Sequence, residues 1–178
     1  MSHYLVIALV ALLGLLTGWI FHTRTKKSLL KNLRLLALEK DGIIKQGLFT
    51  LPKLHYKYDG KEVEISSAST GSSAESEQYT YVLINGIDFK GFEFRLIPKS
   101  IQTVIDTAFN IHKQIPTGYA EFDDYFSVYS NSRDKMLKIL NDKVRSDLLD
   151  WAEKKSVNSI NDIRNYDDKL IFSISGEP

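Results

Sequence analysis

Tyr4 to Phe21, YLVIALVALLGLLTGWIF, is an uncharged run of 18 residues. As a helix it measures about 27 Å, close to the hydrocarbon thickness of a bilayer. A helix satisfies its own backbone hydrogen bonds, which is the condition for crossing lipid. Tyr4 and Trp19 stand near its two ends, where amphipathic rings meet the headgroups. A cleaved signal peptide would need a basic n-region, an apolar core of about 7–15 residues and a small-x-small cleavage site. Here the α-amino group and His3 are the only basic groups ahead of the run, and the exit reads Trp19-Ile20-Phe21-His22. The expectation is an uncleaved transmembrane anchor over residues 1–22.

The flanks give this anchor a direction. Arg24, Lys26, Lys27, Lys31 and Arg34 follow it, and no charged side chain other than a protonated His3 precedes it. Basic residues resist translocation, so a single-pass topology is expected in the cell membrane, with the N-terminus outside and the soluble domain cytoplasmic. The same five residues are candidates for contact with lipid headgroups or an acidic partner. The plainer reading is that Arg24 to Lys27 serve only as the topology determinant.

A near-neutral total hides a division of charge. Lys+Arg number 23 and Asp+Glu 22, a net +1 over 178 residues. Residues 22–57 hold nine basic against two acidic side chains (+7), and residues 58–178 hold 14 against 20 (−6). A basic collar therefore adjoins the anchor and an acidic body lies beyond it. Each Lys or Arg close to an anionic leaflet contributes on the order of 1 kcal/mol. The balance overall, and the lack of basic residues interleaved with the sheet aromatics, argue against nucleic acid as a partner.

Ser28 to Lys40 has good helix propensity, with Leu29, Leu30, Leu33, Leu36 and Ala37 at helical spacing and Gly42 as its terminator. This basic juxtamembrane helix, residues 23–42, has three possible settings: flat on the membrane, continuous with the anchor, or packed on the soluble domain.

From Ile43 the period changes. Leu54 to Tyr58 and Lys61 to Ile65 alternate around Asp59-Gly60, a type I′ hairpin signal. Ser66 to Glu77 is polar and low in complexity and reads as a flexible loop. Tyr79 to Leu83 and Phe89 to Ile97 read as a strand pair joined around Asn85-Gly86, closed by Pro98. Ser100 can cap a helix carrying Ile101, Val104, Ile105, Ala108 and Phe109. Tyr125 to Ser130 reads as a strand, followed by a helical stretch to about Lys155 with a weak point at Asn141-Asp142. Ile160 to Asn165 and Leu170 to Ser175, joined through Asp167-Asp168, suggest a closing hairpin. The expected fold class is α+β: one N-terminal transmembrane helix, then a single soluble domain (residues 43–178) of antiparallel strands with inserted helices.

The block Glu121-Phe122-Asp123-Asp124-Tyr125-Phe126-Ser127-Val128-Tyr129-Ser130, the helix with Leu137, Leu140 and Leu148-Leu149, and Asp168-Lys169-Leu170-Ile171-Phe172 resemble one bacterial family. Its members are membrane-anchored proteins with a domain of unknown function, and the resemblance covers the C-terminal part. It implies a bacterial membrane-tethered domain and carries no activity with it.

Chemistry-bearing motifs are sparse. Zero Cys removes thiol catalysis, Cys-ligated zinc and disulfides. His3, His22, His55 and His112 share no metal-ligand spacing, and no phosphate-binding glycine motif or nucleophile elbow occurs. No cofactor is expected. Glu121, Asp123 and Asp124 form the best acid–base candidate, since neighbouring carboxylates push one pKa upward. In a strand, however, Asp123 and Asp124 would face opposite ways. Phe122 and Phe126 suggest a bend that leaves the acids solvated. Within the anchor, Gly14 and Gly18 make a G-x-x-x-G, with Ala11 and Thr17 beside them, suited to close helix–helix packing.

These readings converge on a non-enzymatic interaction module or accessory subunit of a membrane complex. Its expected partners are membrane lipid and, through the transmembrane helix, another membrane protein or a second copy. Two alternatives are a membrane-tethered hydrolase using Asp123 or Asp124, and an anionic-lipid sensor working through the basic segment.

Overall fold

The computed structural model describes residues 26–47, 50–70, 77–101, 114–153 and 160–176. The expected anchor, including Ala11, Gly14, Thr17 and Gly18, lies outside them, as do Arg24 of the juxtamembrane segment and the helix expected after Ser100 from residue 102 on. Among the described residues no helix is long and apolar enough to cross a membrane.

Helix α1 covers residues 26–40. Asp41 takes a left-handed conformation (φ 50°), and the Gly42 N–H donates to the Ala37 carbonyl at 2.8 Å. This six-to-one closure puts Asp41, not Gly42, at the strained position. Gly42 is needed for space instead, as the Discussion develops.

Eight strands follow: β1 (Ile43–Lys45), β2 (Lys53–Tyr58), β3 (Lys61–Thr70), β4 (Glu77–Asn85), β5 (Phe94–Pro98), β6 (Phe126–Ser130), β7 (Ile160–Tyr166) and β8 (Lys169–Ser175). They form one sheet in the order β1-β2-β3-β4-β8-β7-β5-β6, with every neighbouring pair antiparallel. Between β6 and β7 come α2 (Ala120–Tyr125), α3 (Arg133–Ile139) and α4 (Asp142–Glu153). The α+β class expected from the sequence is what the chain adopts.

The Asp59-Gly60 hairpin forms as expected, with φ of 47° and 73° at the two turn residues and Tyr58 opposite Lys61. The closing hairpin joins β7 to β8, with Tyr166 opposite Lys169. The helical stretch after Ser132 breaks at Leu140-Asn141, between α3 and α4.

Three sequence expectations are corrected. Ser66 to Thr70 is strand rather than loop, pairing with Tyr81 to Glu77. Ladder pairing, with tyrosines opposite Ser66 and Ala68, holds this segment in the sheet. The strands on either side of Asn85-Gly86 do not pair with each other. β4 pairs with β8, and β5 lies between β6 and β7, so residues 87–93 are a crossing loop. Finally, Tyr125, expected to open a strand, ends helix α2, which also holds Glu121 to Asp124.

One row of cross-strand partners fixes where the core sits. Ile44, Leu54, Ile65, Val82, Phe172, Ile163, Leu96 and Val128 are successive neighbours across the sheet. At one end Leu29 and Leu33 of α1 are buried on Leu54 and Ile65. At the other, Phe122, Met136 and Leu140 close over Leu96, Val128 and Ile163, and Phe122 and Phe126 lie 5.0 Å apart. Among the described residues, α1 to α4 therefore pack on one face. Full burial of a leucine contributes about 1.5–3 kcal/mol, so Leu29 and Leu33 make α1 an integral part of the domain.

Candidate functional site

Moving one residue along each strand reverses the face. The row opposite the helices reads Ile43, His55, Glu64, Leu83, Ile171, Arg164, Arg95, Tyr129, again through direct register partners. Its charge is concentrated at the β7–β5 step, where Arg164 and Arg95 stand opposite each other. Like charges in that position repel.

Asp162, on the same face of β7, relieves the repulsion. Arg95 donates to it through Nε at 2.9 Å and Nη2 at 3.1 Å, a bidentate pair whose side chains are only 16% and 12% exposed. Arg164 Nε stands 3.5 Å from Asp162 Oδ2 and makes no hydrogen bond with any described residue. The Arg164 side chain is 37% exposed. Two guanidinium groups thus contact one carboxylate.

A cleft of about 840 Å³ opens at this cluster. Arg95, Ile97, Tyr129, Arg164 and Ile171 line it from the sheet, with residues 87–93 and the turn at Tyr166 to Asp168 around them. The loop is firmly held. Phe94 N–H donates to Asn165 Oδ1 at 2.7 Å, and Asn165 Nδ2 donates to the Phe92 carbonyl at 2.6 Å. Asn131 Nδ2 donates to the Gly91 carbonyl at 2.7 Å, and Ile87 N–H to the Asp168 carbonyl at 3.0 Å. The cleft is therefore preformed, and it lies within the size range of small-molecule sites, about 300–1,000 Å³.

The sequence-derived carboxylates are placed differently. Asp123 accepts hydrogen bonds from Thr117 N–H (3.1 Å), Thr117 Oγ1 (2.7 Å) and Gly118 N–H (3.1 Å). It fastens the turn that precedes α2. Asp124 is exposed on the same helix. Neither lines the 840 Å³ cleft. A smaller hollow of about 310 Å³ between α2 and α4 contains Arg145, which is buried, stacks 3.2 Å over the Tyr119 ring and donates to the Leu140 carbonyl and Asp142. That arginine joins α3 to α4. Among the described residues no group of three His, Cys, Asp or Glu is placed to hold a metal.

The juxtamembrane candidates divide. Lys26 Nζ donates to the Gly47 carbonyl at 2.9 Å, which ties it to the domain. Lys27, Lys31 and Arg34 are exposed. Leu35 and Leu38 stand among them, 64% and 83% exposed. At 100° per residue these five side chains occupy an arc of about 100° on the side of α1 away from Leu29 and Leu33. The sequence identified the buried stripe; it did not single out Leu35 and Leu38 as a second one.

Reading residues one at a time also missed Arg95 and Arg164. Alternation could have put each on the polar face of its strand, but nothing local pairs β5 with β7. No protein-family model, curated protein or solved structure matches the chain.

Proposed function

We propose that this is a single-pass membrane protein whose cytoplasmic α+β domain is an interaction module or accessory subunit of a membrane complex, held in a fixed attitude to the bilayer. The observation that carries the reading is the double character of α1. Its inner leucines are core residues of the domain, while its outer face presents Lys27, Lys31, Arg34, Leu35 and Leu38. An exposed face mixing basic and apolar side chains suits the boundary of an anionic leaflet: cations at the phosphates, leucines just below. Lys26, the first described residue of α1, follows the uncharged run Tyr4 to Phe21 by five positions in the sequence, so an anchor in the bilayer holds that face near the lipid. Because α1 packs on the helix side of the sheet, the opposite face points away from the membrane toward partners.

Crosslinking mass spectrometry on intact membranes tests the module role. The reading expects reproducible links from the far face, at Lys57, Lys90 or Lys169, to another membrane-associated protein or a second copy. A chain that forms no links beyond itself contradicts it.

A further inference from the structure

Asparagine is followed by glycine at one place in the sequence, Asn85-Gly86. Asn85 closes β4, and Gly86 leads into the crossing loop over residues 87–93. An asparagine ahead of glycine is open to attack on its Cγ by the next main-chain nitrogen, because glycine has no Cβ to crowd the approach.

The structure leaves that reaction unhindered. Gly86 is exposed with φ of 76°, and a Cβ placed on it would meet nothing within 4 Å. Among the described residues its N–H makes no main-chain hydrogen bond. Asn85 Nδ2 reaches the Glu62 carbonyl at 3.5 Å, well beyond the usual distance of about 2.9–3.0 Å. Lys61 Nζ donates to the Gly86 carbonyl, so a cation stands near the amide that must give up its proton and favours its deprotonated form. Asn131, Asn141, Asn161 and Asn165 contrast on both counts. Each precedes a residue with a side chain, and their carboxamides make hydrogen bonds between 2.6 and 3.1 Å.

We propose that Asn85 is a site of spontaneous deamidation, a slow modification that unfastens the start of the crossing loop. Gly86 N bonds to Asn85 Cγ, the Cγ–Nδ2 bond breaks, and Nδ2 leaves as ammonia with the Gly86 proton. Water then opens the cyclic imide at either carbonyl, giving aspartate or isoaspartate. Both products place a carboxylate opposite Glu62, the register partner of Asn85, and like charges there repel. Isoaspartate also routes the main chain through Cγ and lengthens it just before Ile87, whose N–H donates to the Asp168 carbonyl at 3.0 Å. Nothing in this inference depends on how the domain meets the membrane.

The test holds the full chain in nanodiscs, in mildly alkaline and mildly acidic buffers made with oxygen-labelled water. Peptide mapping with electron-transfer fragmentation separates isoaspartate from aspartate, and chain unfolded in denaturant serves as the reference. Asn85 is expected to give both products with uptake of solvent oxygen, faster at the alkaline pH, where the Gly86 amide loses its proton more readily. In the folded chain it should convert roughly tenfold or more faster than the other four asparagines, which must first break a hydrogen bond. Amide exchange at Ile87 should quicken roughly tenfold in the converted material, the loss of one hydrogen bond. Asn85→Gln, which would need a larger ring, should stay unconverted. Conversion in the unfolded but not the folded chain, aspartate as the sole product, a rate that does not rise with pH, or unchanged exchange at Ile87 after conversion would each overturn the proposal. The unaltered protein decides the matter even if the variant does not fold.

Discussion

Gly42 faces Leu54 so closely that a Cβ on the glycine would stand 2.6 Å from Leu54 Cδ1, and 3.1 Å from the His55 carbonyl oxygen. The contact sits where α1 turns into β1, above the leucine cluster that binds α1 to the sheet. Gly42→Ala should therefore force the helix away from Leu54 and cost about 1–3 kcal/mol, the usual range for overpacking. Thermal denaturation followed by circular dichroism should show a lower Tm. An unchanged Tm would mean that α1 is not clamped there.

Asp123 and Asp124 are adjacent, yet their substitutions should differ. Asp123→Ala strips the acceptor from Thr117 and Gly118 and should cost about 1–3 kcal/mol, the penalty for leaving such donors unsatisfied. Asp124→Ala removes an exposed side chain and should stay within about 0.5 kcal/mol. Chemical denaturation of both variants checks the contrast. Equal effects would contradict the turn-fastening role.

Asn165 is buried and bonds to both Phe92 and Phe94. In Asn165→Ala the loop over residues 87–93 should loosen. Amide hydrogen exchange should then accelerate at Phe94, whose N–H loses its acceptor, by well over tenfold if the loss is about 2 kcal/mol. Protection retained at Phe94 would show that the loop is held by something else.

What the sequence disclosed and what it hid follow from the range of the interactions. Asp59-Gly60 and Asp167-Asp168 specify hairpins because a two-residue turn decides the pairing of the strands beside it. The α1 stripe was legible because Leu29 and Leu33 repeat at the helical period. β5 is another case. Its partners are set by β6 and β7, and the Arg95–Asp162 bond joins positions 67 apart, so no local rule reveals the cleft. Ser66 to Thr70 carries too little apolar surface to read as strand, because its pairing is backbone work with the Tyr79–Tyr81 segment opposite. Tyr125 reads as strand for the reverse reason: its aromatic neighbours favour a sheet, while the turn held by Asp123 starts a helix that runs through it.

Replacing Lys27, Lys31 and Arg34 together with Gln removes three charges from the outer face of α1 and leaves Leu29 and Leu33 in the core. At roughly 1 kcal/mol per residue near an anionic leaflet, the domain should lie less closely against anionic bilayers while its Tm stays the same. The difference should shrink as salt rises, since exposed charges are screened within about 10 Å at 0.1 M. Energy transfer from a label on the domain to a lipid dye measures the approach. A distance that does not respond to charge or salt would contradict the contact.

The attitude of the domain is tested most directly by the depth of single labels. The chain has no cysteine, so one introduced thiol reports alone. Leu38→Cys and Tyr166→Cys place labels at exposed positions on the two opposite sides of the domain. In full-length protein reconstituted into anionic bilayers, a nitroxide at position 38 should be broadened by lipid-soluble oxygen and sheltered from an aqueous nickel chelate, with the opposite pattern at position 166. The same aqueous accessibility at both positions would contradict the account.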